Sequence, residues 1–90
     1  MVRNGMNGAH VMEQQAKNGA AEALLQLGLM YSLGRDVKRD LVMAHKWFNL
    51  AAMRGNECAR TYRIEIASEL DHDEIAAAQR LARDWLMTVH

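Results

Sequence analysis

One period constrains this chain more than any other feature. The segment Ala16-Lys17-Asn18-Gly19 returns thirty-six residues later as Ala52-Met53-Arg54-Gly55. Between the two copies lie two stretches with helical apolar spacing, separated by a turn that opens on Gly34. A repeat of that length is one supersecondary unit, and such a unit cannot bury its apolar face alone. The chain is therefore expected to stack units side by side rather than to close around a cleft.

Composition sets the class of those units. The chain has 90 residues, half of them apolar, and no proline. Alanine, leucine and methionine dominate the apolar set, and all three favour helix. One all-helical domain follows. Eleven basic and eleven acidic side chains cancel, which argues against a nucleic-acid or membrane-surface partner, since both select a basic excess. No window approaches the apolar run of about 20 residues that a membrane span needs. A single cysteine, Cys58, forms no internal disulfide and fits a reducing compartment. Cytoplasmic placement is the expectation. Residues 1–8, rich in glycine and asparagine, read as a flexible N-terminal tail.

The helical domain then occupies residues 9–90. Residues 9–17 read as the end of an earlier unit's second helix, with Val11 in the place of Trp47 and Ala16 in that of Ala52. Gly19 stops it, because a glycine just past a helix takes the left-handed backbone a stop requires. A first full helix spans 20–33, with Ala20, Ala23, Leu24, Leu27 and Tyr31 on one face. Gly28 falls in its middle, where glycine costs roughly 1 kcal/mol relative to alanine, so a neighbouring helix is expected to come close there. Val37, in the loop 34–39, should tuck inward.

Asp40 reads as the N-cap of a second helix over 41–53. Its buried stripe is Ala44, Trp47, Phe48 and Ala51. Gly55 ends it and Asn56 caps a third helix over 57–69, with Ala59, Tyr62, Ile66 and Ala67 facing in. Asp71 and Glu74 have capping-box spacing. The last helix turns Ile75, Ala78, Leu81, Ala82, Trp85 and Val89 inward. The first repeat is thus 16–55, and 56–90 is a degenerate repeat or cap. A terminal unit is expected to be atypical because its outer face meets water.

The pattern Ala23, Leu27, Gly28, Tyr31, Gly34, Val37, Asp40, Ala44, Trp47, Ala51, Ala52 and Gly55 resembles a Sel1-like repeat, a relative of the tetratricopeptide repeat with a longer period. The stretch from Ile75 to Trp85 resembles the closing helix found after such repeats in bacterial proteins. One departure stands in the loop, where Asp36 replaces a second glycine. Aspartate tolerates left-handed geometry better than most residues. The resemblance implies a right-handed α-α superhelix of antiparallel helix pairs, about two repeats plus a capping C-terminal helix, whose first helices line a concave groove. It also implies an adaptor or scaffold that binds other proteins, not an enzyme. Hydrolysis of β-lactam-like compounds, linked to some secreted relatives, is a remote alternative, because those relatives are disulfide-rich.

In that geometry Glu22, Leu25, Leu29 and Ser32 turn toward the groove, joined by Cys58, Thr61, Glu65 and Ser68 one period later. Leu25 and Leu29 would suit the apolar face of a partner helix or peptide, and Glu22 and Glu65 would favour a basic one. Alternatively the two leucines are covered by the N-terminal segment or by a second copy of the chain. A structural homo-oligomer is therefore the second functional reading.

No cofactor or metal is expected. His10, His45, His72 and His90 are scattered, with no pair at the i, i+4 spacing of two ligands on one helix. The acids Asp71, Asp73 and Glu74 open a helix, where its dipole stabilises them. Cys58 reads as a small, partly buried packing residue. The arginines Arg60, Arg63, Arg80 and Arg83 alternate with Glu57, Glu65, Glu69, Asp73 and Asp84, as helix-surface ion pairs require. No Ser-His-Asp, Cys-His or paired-carboxylate constellation can be assembled.

Overall fold

The computed structural model describes residues 8–89, and the expected flexible tail lies outside them except for Gly8. Five helices follow one another among the described residues: α1 Gly8–Ala16, α2 Ala21–Leu33, α3 Leu41–Met53, α4 Glu57–Ala67 and α5 His72–Thr88. The fold is all-α, as composition and period require.

The helix boundaries are written by side-chain chemistry. Gly19, Gly34 and Gly55 have φ of +79°, +71° and +91°, a backbone region that costs other L-residues strain. Gly34 closes α2, and the amides of Gly34 and Arg35 both return to the Met30 carbonyl. Helix starts use carboxylates and an amide. Asp40 Oδ1 accepts from Met43 N at 3.1 Å, and Asn56 Oδ1 from Ala59 N at 2.8 Å. At α5 the box is complete: Asp71 Oδ1 accepts from Glu74 N at 2.8 Å, and Glu74 Oε1 accepts from Asp71 N at 2.9 Å. Asp36 takes φ +66° where a glycine was expected, so the turn keeps its shape at some cost in strain.

α3 is the hub. It packs against α2, α4 and α5, while α1 packs on α2. The short connection between α2 and α3 makes them an antiparallel pair, and their seam holds the largest buried side chains. Leu24, Leu27, Trp47, Phe48 and Leu50 are all but inaccessible. Gly28 explains how the pair comes so close. A Cβ built there would overlap Cδ1 and Cε1 of Phe48, so the missing side chain is the space the ring occupies. The other face of Phe48 stacks on Tyr62 of α4, with ring centroids 5.1 Å apart and planes at 21°. Trp47 meets Trp85 of α5 edge to face at 4.8 Å. One aromatic pair thus fastens each later helix to α3.

Val37 is half-buried against the core, as expected. Other positions differ from the sequence expectation. α4 ends at Ala67, two residues short. Tyr62, placed on its inward stripe, is 38 % exposed despite the stacking. Val11 is also exposed, whereas Trp47, its counterpart one period on, is enclosed. The arginine bonds differ too. Arg63 donates to Asn49 Oδ1 at 2.9 Å, Arg39 Nε to the Ser32 carbonyl at 3.0 Å, and Arg54 reaches the Gly19 carbonyl. Arg63 thus ties α4 to α3 through a neutral oxygen in place of an expected carboxylate, and Arg39 and Arg54 tie loops through backbone carbonyls.

Candidate functional site

The eight residues of the expected strip lie on two helices. On α2, Glu22 is exposed and accepts a hydrogen bond from Gln26 Nε2 at 3.0 Å. Leu25 and Leu29 are half-buried and pack against the core. Ser32 is half-buried, and its hydroxyl donates to the Leu29 carbonyl at 3.1 Å, one turn back. The α2 part of the strip therefore presents an acid at one end and two partly covered leucines behind it.

On α4, Cys58, Thr61 and Glu65 are exposed, as is Ser68 at its C-cap. The reason is the poverty of α4's surroundings. It lies on α3 and has no close packing along its length with α2 or α5. Only Ala59 and Ile66 are buried on it. The reading of Cys58 as a partly buried packing residue is thus overturned: its thiol is free and exposed. Ala59, the next residue, takes the position that faces α3. Ser68 Oγ donates to the Glu65 carbonyl, which caps the last turn and leaves the Glu65 carboxylate open to solvent.

The two halves of the strip are not pressed together. The Phe48 ring fits against Gly28 on one side and Tyr62 on the other, so α3 spaces α2 from α4. Among the described residues there is no enclosed pocket and no group of three His, Cys, Asp or Glu that could hold a metal.

Burial and neighbouring charge shift two side chains of the α2–α3 pair. Tyr31 is pushed above the usual phenol range, first by burial and then by the negative charges of Glu13 and Asp40. Lys46 is held below the usual ammonium range by burial, against the pull of Glu13 and Asp84. Its Nζ lies 4.2 Å from the Trp47 ring centroid and 5.4 Å from that of Trp85. This cation–π clamp fixes the α3–α5 seam. Sequence reasoning missed it because Lys46 has no periodic signature of its own. The signal was present as a lysine beside Trp47 with a second tryptophan on the closing helix.

No helix among the described residues is long and apolar enough to cross a membrane. No curated protein and no solved structure matches the chain significantly. The family model of the Sel1 repeat matches residues 21–56. That segment runs from the first residue of α2 to the N-cap of α4 and contains the whole α2–α3 pair. With its glycine stops and its Gly28–Phe48 contact in place, the segment 21–56 is a Sel1 repeat.

Proposed function

We propose that the chain is an adaptor that binds a peptide or helix of another protein along the strip formed by Glu22, Leu25, Leu29, Ser32, Cys58, Thr61, Glu65 and Ser68. Sel1 repeats generally mediate protein–protein interaction, and that sets the class of ligand. The observation that carries the choice of surface is the bare face of α4. Its four strip residues are exposed, small or acidic, and no other helix lies over them. A helix that buries so little of itself has a surface to offer. Leu25 and Leu29 supply apolar ground on α2, across α3 from it, and Glu22 and Glu65 select basic residues. Such an arrangement reads a ligand by alternating apolar and charged contacts. No residue is assigned a catalytic role.

The test is selection from a displayed random-peptide library against the purified protein, followed by the double variant Glu22→Lys, Glu65→Lys. The selected ligands are expected to be basic and amphipathic, and the double variant is expected to lose them at an unchanged melting temperature. Both glutamates are exposed, so folding is not at stake. Ligands that bind wild type and double variant alike would place the binding surface elsewhere.

A further inference from the structure

His45 lies in the middle of α3 and is only 4 % exposed. Its Nδ1 is buried with no hydrogen-bond partner. One turn on, Asn49 holds the Arg63 guanidinium of α4, so a fixed positive charge stands at the same seam. A second proton on the imidazole would set a buried cation beside a guanidinium, which is unfavourable and only partly offset by a hydrogen bond to the backbone of His45 itself. Glu13 of α1 and Asp84 of α5 are the carboxylates that act on the neighbouring Lys46. The carboxylates of α2, α4 and α5, namely Glu22, Glu57, Glu65, Asp73, Glu74 and Asp84, are all exposed. Tyr31 on α2 interacts with Glu13 and Asp40, and Lys46 is engaged with Trp47 and Trp85 on the α5 side. The basic and histidine side chains of α5, His72, Arg80 and Arg83, and Arg60 of α4 are exposed. Burial first, and the charge of Arg63 second, hold His45 below the usual imidazole range.

We propose that the α3–α4 seam is an acid-sensitive joint, in which proton uptake by His45 beside Arg63 frees α4 from α3 while α2, α3 and α5 stay packed. α4 is held to α3 by Ala59, Ile66, the Tyr62 ring and the Arg63–Asn49 hydrogen bond. The contacts of α3 with α2 and α5 run through Gly28–Phe48 and Trp47–Trp85 instead. The sign follows from proton linkage. A freed seam exposes His45, which then binds a proton with the ordinary value of about 6.5. The docked seam resists that proton. Docking is therefore full above about pH 6.5 and is lost as pH falls from there toward the lower value of the docked state. The inference concerns α4 docking and does not depend on what the strip binds.

Amide exchange followed by NMR from about pH 7.5 to 5.5, corrected for intrinsic rates, tests it. The wild-type amides of α4 are expected to lose protection by up to about tenfold per pH unit below 6.5, the limit for one proton. Those of α2 and α3 should hold. In His45→Gln the α4 protection should become flat with pH, and in Arg63→Gln the slope should be shallower. Protection of α4 that is flat with pH in the wild type would overturn the joint. An identical slope in His45→Gln would overturn it by assigning the effect to another histidine. If His45→Gln does not fold, an unchanged slope in Arg63→Gln overturns the proposal on its own.

Discussion

A missing side chain at residue 28 decides how near α2 and α3 come. Helix propensity alone favours alanine there by about 1 kcal/mol, so a substitution judged by propensity would stabilise. The Phe48 ring reverses the sign, because an added Cβ would overlap it. Gly28→Ala is expected to destabilise by about 1–3 kcal/mol, the usual cost of overpacking, measured by urea unfolding. Much of that loss should vanish in a Phe48→Leu background, since residues in contact couple. A stabilised Gly28→Ala would mean the ring is not held there. Close approach at Gly28 was readable in the sequence, for a glycine kept in mid-helix needs a packing reason. The tilt of Tyr62 and the exposure of Cys58 were not. Period 3.6 says which residues share a face, but not how much of that face a neighbour covers, and α4 has only α3 to lie on.

At the scale of the helices, the stops and caps carry the architecture and were the most readable part of the chain. Gly19, Gly34 and Gly55 end helices, and Asp40, Asn56 and Asp71 begin them, each through local chemistry that needs no tertiary partner. α4 buries only Ala59 and Ile66, so its cap matters to it. Asn56→Ala removes the acceptor for Ala59 N and is expected to cost about 1 kcal/mol. It should lower exchange protection across α4 while leaving the α2–α3 pair unchanged. Equal loss in every helix would show that α4 does not open by itself. What sequence reasoning could not supply was α3 as the hub. A strict reading by repeats pairs each first helix with its own second, yet α4 and α5 each settle on α3 instead. The Phe48–Tyr62 and Trp47–Trp85 pairs account for that choice. Aromatic partners are set in three dimensions and leave no fixed spacing in the chain.

The whole molecule is a layered stack of 43 × 27 × 22 Å, with one repeat at its centre and an open flank on α4. Its outer helix α5 turns Gln79, Arg80, Arg83 and Asp84 to solvent. If the α2–α4 strip, and not this outer face, meets another protein, a crosslinker on the strip captures it. The single, exposed Cys58 lies on the strip and takes a photoactivatable maleimide without further change. Gln79→Cys in a Cys58→Ser background carries the same reagent on α5. After illumination in native lysate, a heterologous adduct is predicted from position 58 and not from position 79, and it should disappear with Glu22→Lys, Glu65→Lys. Adducts from position 79 alone, or only the chain crosslinked to itself, would contradict the account.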